Sequence, residues 1–142
     1  MPNQTEITFG YPNTVIKQYK HWTVLLREGQ VTLGSLVLCS TSEATEFSAL
    51  SQDAFMEMNV AIADIERVLK AAFNYDKINY LMLMMVDPNV HFHVFPRYAT
   101  ARSACGFELI DKGWPAAPNL AEPTILTSEQ SEKLKAYIVS FW

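Results

Sequence analysis

Asn89-Val90-His91-Phe92-His93-Val94-Phe95-Pro96-Arg97 alternates polar and apolar side chains for most of its length. A period of two is the signature of a strand with two different faces. The reading places Val90, Phe92 and Val94 on one face. Asn89, His91, His93 and Phe95 share the other. Two imidazoles are then held on one side of one strand, roughly 6–7 Å apart along it. Imidazole can attack phosphorus, ligate a metal or move protons near neutral pH. Pro96 stops the ladder and Arg97 follows at the strand end.

Working outward, Lys77–Met85 reads as an apolar strand, and Val86-Asp87-Pro88 turns the chain into the histidine strand. Asp87 is a turn starter at that position. Upstream, Ser51 caps a long amphipathic helix to Phe73, with Phe55, Met58, Ile62, Ile65, Leu69 and Ala72 as its stripe. Trp22–Leu26 and Val31–Cys39 read as a pair of strands, joined by a turn at Glu28-Gly29-Gln30. Gly34 inside the second marks a bulge or a close backbone approach. Residues 1–14, with Pro2 and Pro12, read as a loose arm. Beyond the histidine strand, Phe107–Ile110 is a short strand and 113–123 is irregular. Thr127 and Gln130 have capping-box spacing for a short helix to Trp142. These elements make one α+β domain with an antiparallel sheet: arm 1–14, core 20–100 and C-terminal extension 101–142.

The chain has 142 residues, 49% hydrophobic and 18% charged, with a formal charge of −4. That composition supports one packed core and argues against disorder. The net charge provides no basic field for duplex nucleic acid or an anionic membrane. No signal-peptide pattern opens the sequence, and no apolar run approaches the roughly 20 residues that span a bilayer. Cys39 and Cys105 form no CxxC pair and read as two buried, reduced thiols. The expected location is the cytoplasm.

Three chemistries are open to the histidine pair. The rings decorate a solvated face; or they supply two metal ligands, completed by Asp87 or His21; or one attacks a phosphate while the other hydrogen-bonds its oxygens. Arg97 is either a solvated strand end or a neighbour of the site. Asn79 and Tyr80, on the adjacent strand, are further candidates to face the pocket. Arg102, Lys112 and Trp114 read more simply as surface or packing residues.

The stretch Asn89–Arg97 resembles the signature of the histidine triad family, His-φ-His-φ-His-φ-φ with φ apolar and Pro-Arg often following. Thr32-Leu33-Gly34-Ser35-Leu36-Val37-Leu38 resembles that family's Pro-Gly-His-φ-φ-φ strand, with Leu33 for Pro and Ser35 for His. The resemblance covers residues 20–100. The Phe-Pro-Arg-Tyr extension and the compact Val-Asp-Pro turn are similar to a bacterial branch that is diadenosine polyphosphate hydrolase-like. The resemblance implies an antiparallel sheet of about five strands with a long helix on it, paired into a homodimer. It implies nucleotidyl transfer or hydrolysis at an α-phosphate. His91 would be the nucleophile, through a nucleotidyl-imidazole intermediate, and His93 would contact the phosphate. The partner would be a small nucleotide, with no tightly bound cofactor; a divalent cation could accompany a polyphosphate substrate.

Asn89 departs from the pattern, standing at the first triad position in place of histidine. Asn can orient neighbours by hydrogen bonds but does not titrate near pH 7. If that position relays a proton, the loss weakens acid–base help by ~10²–10⁴ in rate. The same fold would then act as a purine-nucleotide-binding module with slow turnover, and restoring histidine at position 89 should raise the rate. The Gly-Gln-Ser-like segment that precedes the triad in many family members is also absent.

Overall fold

The computed structural model describes all residues, Met1–Trp142. Its frame is a five-stranded antiparallel sheet in the order β1-β2-β4-β6-β5. The strands are β1 (Val15–Gln18), β2 (Trp22–Leu26), β4 (Leu36–Ser40), β5 (Lys77–Leu81) and β6 (His91–Arg97). The histidine strand β6 lies between β4 and β5, with Val37 opposite His93 and Cys39 opposite His91. The fold is thus the α+β sheet-and-helix arrangement that the sequence led us to expect.

The two faces of the sheet differ. Trp22, Val24, Leu26, Leu36, Leu38, Val90 and Val94 join the main core with helix α2 (Gln52–Phe73). Each large apolar side chain so buried contributes about 1.5–3 kcal/mol. The Ser51 hydroxyl accepts the Ala54 N–H at 3.1 Å and starts α2; Asn74, left-handed at φ 49°, ends it. The buried stripe of α2 is Ala54, Ala61, Ile65, Val68, Leu69 and Phe73. It is rotated from the expected stripe, so Phe55 is exposed while Ile65 and Leu69 keep their places. The Trp22 indole N–H donates to the Ala54 carbonyl at 2.7 Å and ties the start of α2 to β2.

Leu25, Val37 and Cys39 form a small separate cluster with Phe9, Tyr11 and Val15. The supposed loose arm is what covers that cluster. Helix α1 (Gln4–Thr8) is built on a capping box, in which Asn3 accepts from the Glu6 N–H and Glu6 accepts from the Asn3 N–H, both at 2.9 Å. Asn3 also donates to the carbonyls of Ser40 and Ser42, which fastens α1 to the end of β4. Pro2 and Pro12 flank this turn of helix without entering it.

The expected strand over 31–39 is shorter at its start. Residues 31–35 form a turn that Gln30 organises, its amide oxygen accepting from the N–H groups of Gly34 and Ser35. Gly34 has φ +88°, and a Cβ there would stand 2.8 Å from the Phe73 ring, so the close approach is real. Strand β5 ends at Leu81, short of the expected Met85. Gly29–Gln30 (β3) pairs with Thr124–Ile125 (β9), and Arg102–Ala104 (β7) pairs with Phe107–Leu109 (β8). Cys105 lies in the turn between β7 and β8 at φ 54° and is only partly buried, unlike Cys39. Helix α3 (Ser128–Val139) starts at the expected Thr127–Gln130 capping box and buries Leu134 and Ile138. No helix is long and apolar enough to cross a membrane.

Candidate functional site

The period-two reading of β6 places its side chains as expected. Phe92 packs toward Trp22 on the α2 side, with ring centroids 6.2 Å apart. His91 and His93 meet on the opposite face, edge to face, with ring centroids 5.2 Å apart. They are not solvated: His91 is 0% and His93 7% exposed, which removes the reading of a decorated surface.

His91 Nδ1 lies 2.7 Å from the carbonyl oxygen of Asn89. A carbonyl only accepts, so Nδ1 carries a proton, and in the neutral ring the lone pair lies on Nε2. Nε2 is buried and has no protein partner. A buried, unpaired ring nitrogen is unfavourable unless something uses it. The chain thereby presents one imidazole in the tautomer suited to attack through Nε2.

His93 is held neutral. Burial lowers its pKa to about 4, helped by the positive charge of Arg27 and by His91. It is therefore a hydrogen-bonding neighbour at pH 7 and not a standing cation. Its Nδ1 is also buried without a partner. Phe95 stacks on it, ring planes 4° apart and centroids 6.0 Å apart.

Asn89 enters differently from the sequence reading. Its carboxamide oxygen accepts from the Thr5 N–H at 3.2 Å and the Thr5 hydroxyl at 3.1 Å. Its amide nitrogen donates to the Glu43 carbonyl at 3.2 Å. The side chain is committed to α1 and the loop after β4, whereas the backbone carbonyl orients His91. The structure gives the Asn89 carboxamide no hydrogen bond to either imidazole, so the proton-relay role considered from sequence has no support in this geometry.

Other candidates sort clearly. Arg97 is buried and forms a two-pronged ion pair with Asp111 at 2.6 and 3.1 Å. It also donates to Asn79 at 2.7 Å and to the Ala116 carbonyl at 2.8 Å. Arg97 and Asn79 thus anchor the 111–117 loop, and Trp114 lines a cleft with them. The Tyr80 hydroxyl donates to Glu66 on α2 at 2.7 Å. Arg102 pairs with Asp76 at 3.7 Å, and Lys112 donates to the Glu122 carbonyl. His21, before β2, binds Glu57 through its backbone N–H. No cluster of three His, Cys, Asp or Glu side chains is arranged to hold a metal, so the ligand set with Asp87 or His21 does not form. Ser35 turns its hydroxyl to the Thr32 carbonyl at 2.6 Å and closes the turn before β4.

Two residues of the site went unnoticed in the sequence. Phe9 lies over both imidazoles, 5.9 Å from His91 and 5.6 Å from His93 between ring centroids. Arg27 follows the apolar strand β2 and reaches to within 5.9 Å of the Phe95 ring. A charge directly after five apolar or β-forming residues was the available signal. For Phe9 it was the Asn3–Glu6 capping spacing, which predicts a helix just before it.

The sequence profile of the HIT domain matches residues 10–100, which is 91 of the 142 residues. The chain belongs to the HIT domain family. No curated protein matches the sequence. Several crystal structures share the fold. A HIT protein from Sinorhizobium meliloti superposes with a TM-score of 0.77 at 17% identity, over 100% of this chain and 96% of that one. A histidine triad protein from Bradyrhizobium japonicum gives 0.70 at 20% identity, over 90% of each chain. A hypothetical histidine triad nucleotide-binding protein from Sulfolobus tokodaii gives 0.74 at 15% identity, over 96% of this chain and 88% of that one. Asn89, His91 and His93 all lie within the matched range.

Proposed function

We propose that this HIT domain is a nucleotide hydrolase or nucleotidyl transferase acting at the α-phosphate of a dinucleoside polyphosphate or related nucleotide. HIT proteins are generally nucleotide hydrolases or transferases, and some only bind. The observation that carries the reading is the His91 ring, its proton fixed on Nδ1 and its Nε2 unshared. Nε2 donates its lone pair to the α-phosphorus. A P–N bond forms, the bond to the leaving group breaks, and that group departs with the electron pair. Water then attacks phosphorus, loses a proton and releases the nucleotide, and Nε2 recovers its lone pair. His93 offers a hydrogen bond to a phosphate oxygen.

The leaving group follows from proton supply. His93 is neutral at pH 7, and the Asn89 side chain cannot titrate. Neither is the acid that an amine leaving group needs. A phosphate leaves as an anion and needs none. AMP should therefore appear faster from diadenosine tetraphosphate than from adenosine 5′-phosphoramidate, read by chromatography. His91→Ala should abolish release while AMP still binds; undiminished turnover in that variant rejects His91 as the nucleophile. Magnesium, if required, would enter with the polyphosphate, and the working unit would be a cytoplasmic homodimer.

A second reading draws on Phe9. It covers both rings, and none of the clefts of the structure is lined by His91 or His93. A nucleotide-binding module with slow turnover would have such a cover. It predicts saturable AMP binding with no AMP released from either substrate.

A further inference from the structure

We propose that Arg27 is the residue that meets the negative charge of a phosphate beside the imidazole pair, a specificity determinant of the HIT site just described. The inference rests on that site taking a nucleotide, and not on its turning one over.

The register puts Arg27 there. On the histidine face, Leu25 of β2 lies opposite Val37 of β4, and Val37 opposite His93 of β6. Two residues on, the Arg27 N–H donates to the Ser35 carbonyl at 3.1 Å. Continuing the β4–β6 register by one residue sets Ser35 opposite Phe95. Ser35 is small, and its hydroxyl is turned to Thr32. The long Arg27 side chain therefore spans it and reaches the Phe95 ring, which stacks on His93. The Phe95 ring thus neighbours both the guanidinium and the His93 imidazole.

Arg27 is also unlike the other arginines. Arg67, Arg97 and Arg102 each pair with a carboxylate, at 3.3, 2.6 and 3.7 Å. Arg27 pairs with none. One NH group donates to the Gly29 carbonyl, and its buried Nε has no partner. A guanidinium is a fork of donors shaped for phosphate or carboxylate, and it stays charged when half-buried. Asp87 and Glu28 are the nearby acids: the field of Asp87 reaches Arg27, and Glu28 lines the same cleft, yet neither forms an ion pair with it. That cleft, about 250 Å³, is lined by Arg27, Thr8, Phe9 and Gly29 among others. It opens beside the aromatic cover of the imidazoles. With His93 neutral, Arg27 is the standing positive charge of the site.

The experiment compares AMP with adenosine by calorimetry on the full chain. Arg27→Gln should weaken AMP by roughly tenfold to a hundredfold, as loss of a charge-assisted hydrogen bond does, and leave adenosine unchanged. Arg27→Lys should recover most of the loss. If Arg27→Gln fails to fold, Arg27→Met keeps the stem over Phe95 and serves the same comparison. In the folded variant the His93 imidazole, followed by NMR, should titrate at higher pH than in the parent. Unchanged AMP affinity, equal losses for AMP and adenosine, or an unmoved His93 titration each overturns the assignment. If the parent chain releases no AMP from either substrate, the proposed reaction fails, while the affinity comparison still decides the role of Arg27.

Discussion

His91 and Asn89 divide a task that the sequence assigned to side chains alone. The backbone carbonyl of residue 89 fixes the His91 tautomer, and a carbonyl belongs to any residue. The carboxamide is engaged with Thr5 and Glu43 instead. Asn89→His should therefore give no gain in rate, against the expectation from the triad pattern, and should lower stability by about 1–3 kcal/mol through the lost buried hydrogen bonds, measured by urea unfolding. A rate increase would restore the proton relay. His93 makes a pH prediction. Its folded pKa of about 4 lies below the ordinary value of 6.5, so folding disfavours the charged ring. The stability tied to its neutral form is complete above pH 6.5, declines as pH falls toward 4 and levels off below. The groups that face it are Arg27 and His91. Replacing His93 with Gln should flatten this part of the curve of melting temperature against pH.

The elements were unevenly legible. Helix α2 and its Ser51 cap were plain, because twenty-two residues show their period clearly. The alternation of β6 was equally plain and assigned both faces correctly. Helix α1 has five residues, too few to display a period, and only its capping box betrays it. Strand β1 was missed because Ile16 alone among its four residues is buried. The cost of missing α1 was functional, since the residue after it, Phe9, covers the imidazoles. Phe9→Ala should let water reach the rings. His93 should titrate closer to 6.5, and diethyl pyrocarbonate should modify the histidines faster than in the parent. Equal modification rates would mean that Phe9 does not shield the pair.

At the scale of the whole molecule, the site is assembled from segments far apart in sequence. Thr5 meets Asn89 across 84 residues, and β4 lies beside β6 although β5 precedes β6 in the chain. Local patterns could name the histidines but not their surroundings, because pairing partners are set by packing and not by period. The same holds for Arg97, which could be read as a solvated strand end yet is bound by Asp111 in the 111–117 loop. Asp111→Ala would leave that guanidinium buried and unpaired. Stability should fall by roughly 3–5 kcal/mol in urea unfolding, and a fall below 1 kcal/mol would show the pair to be superficial. The hydrogen bond from His91 to the Asn89 carbonyl has one more consequence. Its proton is sealed from bulk water, so it should exchange slowly and give a resolved downfield NMR signal. The fading of that line would time each opening of the domain, a clock supplied by the native chain without any added label.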